Sequence, residues 1–375
     1  MQDVFVAGAG MTRIGKRSEP LQDLMAEAAH AALLEAGIER PDAIVVATMN
    51  PEEFLGDGNF ASNVATHLGF AEIPSIRVET ATSSGAASLY IGFSQVAAGL
   101  RRAVLVVGGE KMTHLTTPKV SEIIGRSIDP YERGYGATMP ALAGLITQVL
   151  LARSGTVARE IAQVAVKNHA HGAKNPLAHF RQIVTAEEVM ESRMVADPLR
   201  LLHCCPISDG AAAIVLTSDR TRVRVAGLGQ GTDTLAVRHR RELITFAATR
   251  AAAREAFAMA GFGPAHVDFA EIHDAFAPFE LISLEDIGLL PQGKAGRATL
   301  DGDTGLDGRL PINPSGGLKA RGHPLAATGL AQIVECVWQL TGRAQGRQLA
   351  VARRALAHSI GGLATNNWVT LLEAV

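Results

Sequence analysis

Apolar positions along the chain fall into two recurring patterns. One is a short, uninterrupted apolar run bounded by glycine or polar residues. The other is a longer segment in which apolar residues return every three or four positions. The first reads as a strand covered on both faces, the second as a helix with one face against a core. Val4–Gly8, Ala43–Ala47, Ala103–Val107 and Ala211–Leu216 are runs of the first kind, and Ile76–Glu79 reads as extended. Leu21–Gly37 is of the second kind: Leu21, Leu24, Met25, Ala28, Ala32 and Leu33 share a face, and Gly37 is placed to end the helix. The same spacing predicts helices over Ala61–Leu68 and Gly85–Gly99. Strands alternating with helices predict an α/β protein with a mostly parallel sheet.

From about Lys111 to Pro198 the alternation breaks. Tyr131-Glu132-Arg133-Gly134-Tyr135-Gly136 precedes an apolar helix, Met139–Leu151, and a polar one, Val157–Asn168. This predicts an inserted helical subdomain over 111–198. Beyond it the first pattern returns. Ala36-Gly37-Ile38-Glu39-Arg40-Pro41-Asp42-Ala43 and Ala260-Gly261-Phe262-Gly263-Pro264-Ala265-His266-Val267 are each a helix end, a proline-bearing turn and the start of a strand. A helix over Ala326–Leu340 and a strand over Ala355–His358 echo Gly85–Val107. One repeat of over a hundred residues predicts a duplication rather than a solenoid. The expected organisation is two α/β halves, 1–220 and 221–375, with a functional crevice between them.

Composition narrows the picture. The 375 residues suit two domains, and with 47% hydrophobic but only 5% aromatic residues the core must be built of Ala, Val, Leu and Ile. The 38 glycines predict close helix–strand contacts as well as turns. A net charge of −2 offers no basic field for nucleic acid. No apolar stretch approaches the roughly 20 residues that cross a bilayer. Met1-Gln2-Asp3-Val4 runs directly into a predicted strand, so no signal peptide is expected. Three cysteines, with Cys204 and Cys205 adjacent, make no disulfide framework, and a reducing cytoplasm is the expected location.

Four segments carry candidate chemistry. Glu79-Thr80-Ala81-Thr82-Ser83-Ser84-Gly85 joins a strand to a helix, where a side chain can face a positive helix end; on its own it is equally an ordinary N-cap. Glu271-Ile272-His273-Asp274-Ala275-Phe276 ends a buried strand with a histidine that can donate to a substrate oxygen, or serve structure alone. Asn313-Pro314-Ser315-Gly316-Gly317-Leu318-Lys319-Ala320-Arg321-Gly322-His323-Pro324 is a glycine-rich loop delivering His-Pro to a helix start. Its Ser315, Gly316 and Gly317 would let a ligand approach the backbone. Ala357-His358-Ser359-Ile360-Gly361-Gly362 ends a strand in paired glycines whose N–H groups suit an oxyanion hole or a tight turn.

Together these four segments resemble the thiolase superfamily, especially its sterol-carrier-protein-type and archaeal branch, over essentially the whole chain. His273-Asp274-Ala275-Phe276 and Gly316-Gly317-Leu318-Lys319-Ala320-Arg321-Gly322-His323-Pro324 are specific matches. Cys204-Cys205-Pro206-Ile207-Ser208-Asp209-Gly210 resembles the segment closing the family's first half, which makes both cysteines structural. The resemblance implies a thiolase fold, two duplicated halves in a layered αβαβα arrangement with an inserted loop region. It implies acyl-CoA as substrate, no metal or prosthetic group, and a homodimer, with Ala103–Val107 near the dimer contact. It places Thr82 at the nucleophile position, His323 as activating base and oxyanion donor, His273 to orient a water or donate to the thioester oxygen, and Ser359, beside His358, at the acid/base position. Ser315, Gly316, Gly317, Gly361 and Gly362 would contact the CoA thioester.

Both catalytic cysteines of the family pattern are therefore replaced. An alcohol is far less acidic than a thiol and needs its proton removed during attack; threonine is also stiff and bulky at Cβ. Three functions follow. One is thiolase-type acyl transfer on acyl-CoA. Another is carbon–carbon lyase chemistry of retro-aldolase type on a β-hydroxyacyl-CoA, for which the resemblance implies a small zinc-ribbon and OB-fold partner. The last is a non-catalytic CoA-binding or scaffold subunit.

Overall fold

The computed structural model describes residues 2–375. Its first stretch runs β1 (Phe5–Met11), α1 (Leu21–Ala36), β2 (Ala43–Ala47), α2 (Pro51–Phe54), α3 (Phe60–His67), β3 (Ser75–Val78), α4 (Ser84–Ala97) and β4 (Ala103–Glu110). The insert follows: α5 (Thr117–Gly125), α6 (Pro130–Gly134), α7 (Met139–Arg153), α8 (Ala158–Ala173), α9 (Ala186–Glu191) and a two-stranded ribbon of β5 (Met194–Ala196) and β6 (Leu199–Arg200). The remainder is β7 (Gly210–Thr217), β8 (Val223–Thr232), α10 (Ala247–Ala260), β9 (Phe269–Glu271), α11 (Ala277–Ile287), α12 (Ala295–Leu300), α13 (Gly317–Ala320), α14 (Ala327–Leu340), β10 (Arg354–Gly361) and β11 (Asn366–Ala374). As the spacing predicts, α1 buries Leu21, Leu24, Met25, Ala28, Ala32 and Leu33 and stops at Gly37, whose left-handed φ of 63° returns its N–H to the last turn.

Nine strands pair in the order β3-β2-β4-β7-β1-β8-β11-β10-β9. The sheet is mixed, not mostly parallel. Glu110, the last residue of β4, pairs with Gly210, the first of β7, because the insert hands the chain back at the end where β4 finishes; β7 must then run antiparallel. β1 pairs antiparallel with β7 and makes a short link to β8 at Phe5 and Val6. α1 and α3 cover one face of β2, β4 and β7. α4 and α14 lie in the middle, between those strands and β8–β11. α10 and α11 close the far side. This is the layered αβαβα arrangement.

The duplication is visible in how each half joins a helix to a strand. A Cβ on Gly8 or Gly10 of β1 would lie 2.0 Å from Ala32 O or 2.3 Å from Ala28 O of α1. A Cβ on Gly227, Gly229 or Gly231 of β8 would meet Ala256, Ala252 and Ala248 O of α10 at 2.2, 1.9 and 2.2 Å. Alternate glycines leave a groove in which an alanine face of the helix rests on strand backbone. Ala103–Val107, expected near a dimer contact, is fully buried in mid-sheet between β2 and β7, where both of its edges are already bonded. The strand with a free edge in this half is β3, which is half-buried and leaves Ile76 exposed.

Candidate active site

The middle-layer helices α4 and α14 meet at their N-terminal ends. Glycines allow it: a Cβ on Gly85 would lie 2.4 Å from Ala326 O, and one on Gly329 2.6 Å from Ala86 N. The crossing sets Thr82, just ahead of α4, beside His323, just ahead of α14. His273 arrives from the loop that follows β9. All three border one cavity of about 160 Å³. The insert roofs it through Val120, Ser121 and Ile124 of α5 and Thr138, Met139 and Pro140 at the start of α7. Two helix N-termini directed at one small space favour negative charge developing there.

The His273 and His323 rings meet edge to face with centroids 5.1 Å apart. Nδ1 of His323 is 2.7 Å from the Thr328 hydroxyl, which leaves Nε2 as the nitrogen for the cavity. Nδ1 of His273 has no partner among the described residues. Burial, with the charge of Arg321, pushes His323 down to about 3. Burial, followed by the neighbouring His323, His358 and Arg321, holds His273 well below the usual histidine range. Both rings are therefore neutral at pH 7, and each keeps one N–H to donate.

A buried polar network fixes these two histidine-bearing segments. Arg321 Nη1 donates to Glu271 Oε2 at 3.1 Å, and Ser315 gives Glu271 both its N–H at 2.9 Å and its hydroxyl at 2.7 Å. Asp274 accepts from the N–H groups of Leu318 at 2.6 Å and Lys319 at 3.2 Å, and from Asn168 Nδ2 at 2.7 Å. Asn313 donates to Glu280 and accepts from the Ile272 N–H. Ser315, Gly316 and Gly317 consequently sit behind the cavity and do not border it. Gly317, at φ 60°, presses on the Asp274 carboxylate, which a Cβ would approach to 2.5 Å.

Across the cavity, the Thr82 hydroxyl donates to the carbonyl of Ile360 at 2.6 Å. Its turn is tight: Ala81 has a left-handed φ of 54°, and the Ser83 and Ser84 hydroxyls donate to Thr80 O and Ala81 O at 2.8 and 2.6 Å. Gly361 packs under this turn, since a Cβ there would lie 2.3 Å from Thr80 O, and Gly362 borders the cavity. His358 and Ser359 are buried in β10 and do not border it. His358 Nε2 is 3.0 Å from the Thr249 hydroxyl of α10. Ser359 pairs across the ladder with Trp368, which packs on Ala86 and Ala87, so it faces α4.

The structure also places Cys204 and Cys205, expected to be structural, on the cavity wall. The Cys205 N–H donates to Ala275 O, and Lys319 Nζ donates to Cys204 O at 2.7 Å. Burial pushes the Cys204 thiol up to about 11 and raises Cys205 further, so neither is thiolate-forming at neutral pH. Nothing in the spacing of these residues points to the cavity; backbone pairing with the His273 loop carries them there.

Residues 4–220 match the family model described as "Thiolase, N-terminal domain", and residues 229–374 match "Thiolase C-terminal domain-like". The chain is 42% identical over 372 residues to an acetyl-CoA acetyltransferase of Methanothermobacter thermautotrophicus, covering 96% of this chain and 97% of that protein. It is 35% identical over 382 residues to sterol carrier protein 2 of Gallus gallus, covering 96% of this chain and 69% of that protein. The solved structure titled "Ltp2-ChsH2(DUF35) aldolase" superposes with a TM-score of 0.85 at 24% identity, covering 99% of this chain and 98% of that one, a likeness of fold.

Proposed function

The chain belongs to the thiolase family, and from that membership we propose that it makes or breaks a carbon–carbon bond in a CoA thioester bound at this cavity. The observation that carries the proposal is the pair of neutral, buried imidazoles bordering the cavity at which the N-terminal ends of α4 and α14 meet. In the cleavage direction on a β-hydroxyacyl-CoA, the β-hydroxyl gives up its proton, the β-carbon becomes a departing carbonyl, and the electrons of its bond to the α-carbon pass into the thioester carbonyl. His273 and His323 donate to the resulting enolate oxygen, and a proton then returns to the α-carbon. Joining runs the same steps in reverse. CoA thioesters are substrates here, not resident cofactors.

We place Thr82 and Ser359 at the positions of the family's two catalytic cysteines. A ring held near pKa 3 is a weak base toward an alcohol, and the Thr82 hydroxyl is already committed to Ile360 O. Direct enolate chemistry, without an acyl-enzyme, is accordingly the reading we favour. The second reading is acyl transfer through Thr82 Oγ1 with release of CoA thiol, which the acetyl-CoA acetyltransferase relative favours. Intact mass after incubation with acetyl-CoA separates them. Native protein should gain no acetyl group, whereas Thr82→Cys, which sets a more acidic thiol at the helix end in place of the alcohol, should gain one. An acetyl group on native Thr82 would overturn the favoured reading.

The proposal includes two thiolase halves, 1–220 and 221–375, a homodimer joined at the free edge of β3, and a cytoplasmic location. No helix among the described residues is long and apolar enough to cross a membrane. It also includes the small zinc-ribbon and OB-fold partner implied by the retro-aldolase alternative. Co-purification with such a protein, and activity toward a β-hydroxyacyl-CoA that depends on it, would support that part; equal activity without it would remove it.

A further inference from the structure

We infer that the acyl group taken by this cavity is uncharged and about six carbons in size, a short branched chain or a single ring, and not a long chain or a steroid. The inference rests on the CoA-thioester reading above. Three features of the cavity carry it: its volume, its walls and its close-packed side.

The space is about 160 Å³. An apolar cavity of about 150 Å³ in a protein core stays dry and takes up one benzene. Away from Thr82 and the two histidines, the walls are mainly apolar, formed by Val120, Ile124, Ile207, Met139, Phe276 and Leu325. An acetyl group would leave most of that wall without contact, forfeiting dispersion and leaving apolar surface uncovered. No lysine, arginine or carboxylate borders the cavity among the described residues, so a charged acyl terminus would be desolvated without a partner.

On the Val120, Leu325 and Phe276 side the cavity wall is close-packed core. Val120 and Leu325 pack into a core cluster with Ile123 and Ala326, and each is at most 2% exposed. Phe276 stands edge to face with Phe279 at 5.3 Å inside the main core of the second half. A longer chain would have to displace close-packed core, which costs far more than its added contacts return. Of the roof residues, Ile124 and Met139 are only half-buried, so their side chains set the accessible size.

Calorimetric titration of the purified chain with CoA, acetyl-CoA, succinyl-CoA, benzoyl-CoA and decanoyl-CoA tests this. Benzoyl-CoA should bind at least about tenfold more tightly than acetyl-CoA, succinyl-CoA or decanoyl-CoA, the scale on which pocket occupancy discriminates. Ile124→Trp, which fills the space, should bring benzoyl-CoA and acetyl-CoA to similar affinity, and Ile124→Ala should improve decanoyl-CoA. Met139→Trp is the second filling variant should Ile124→Trp lose its native circular dichroism. Binding of CoA and all thioesters with equal affinity, or decanoyl-CoA as tight as benzoyl-CoA, overturns this inference and leaves the CoA-thioester reading standing. Failure of CoA and every thioester to bind overturns both.

Discussion

On one side of the cavity His273 and His323 rest on a buried network of Glu271, Arg321, Ser315, Asp274 and Asn313, in which the backbone of one loop is bonded to the side chains of the next. On the other side Thr82 rests on a single turn with a left-handed alanine, and its hydroxyl is bonded to a carbonyl of β10. The histidine wall is held rigid by that network, with both rings neutral. On the threonine wall the alcohol is committed to the backbone carbonyl of Ile360. On the reading proposed above, that difference favours oxyanion stabilisation over nucleophile activation.

The largest effect should come from breaking the histidine wall at its base. Arg321→Met leaves Glu271 buried without its cation, and loss of one partner of such a pair costs about 3–5 kcal/mol; chemical denaturation should show that loss. His323→Ala removes one donor while leaving the network intact. It should lower kcat/KM by about 10²–10³-fold with little change in stability, and a loss below about tenfold would mean the ring does not hold the oxygen.

A third test concerns the anchor between the walls. Glu110 of β4 accepts from the Thr48 hydroxyl, the Met49 N–H and the Ala326 N–H at the head of α14. Burial pushes its carboxyl up to about 7 from an ordinary 4.5. The folded state therefore holds this proton more tightly than the unfolded chain. Its contribution is complete below about pH 4.5 and is lost as pH rises through 7, on the order of 3 kcal/mol. Melting temperature should fall from pH 5 to pH 8, and Glu110→Gln should flatten that slope. The smallest effect should be Thr82→Val. If the hydroxyl only bonds Ile360 O, its removal costs kcat/KM less than about tenfold, the scale of one neutral hydrogen bond. A larger loss would restore Thr82 to the chemistry.

Strands covered on both faces, such as Ala43–Ala47, are legible because burial on two sides leaves an unbroken apolar run. β8 is not, because its alternate glycines resemble turns; their purpose appears only once α10 lies on them. The convergence of Thr82, His273, His323 and Gly362 follows from motif resemblance and is what the structure places around one cavity. The positions of Ser315, Gly316 and Gly317 were not legible. Glycines that admit a ligand and glycines that admit a neighbouring carboxylate look the same in one dimension. Side-chain direction on β10 was hidden likewise, since His358 and Ser359 take opposite faces of the strand.

The pairing of β1 with β7 has a consequence for synthesis. Phe5 and Thr217 are ladder partners, and Val6 also pairs with Val223. The opening strand therefore has no neighbour until more than 200 further residues have been translated. At about 5–20 residues per second the nascent chain carries that unpaired apolar strand for roughly 10–40 s. During that interval β2, β3 and β4 can form only a three-stranded parallel sheet with one edge of β4 open. The opening strand is where a ribosome-associated chaperone would find its longest-lived target.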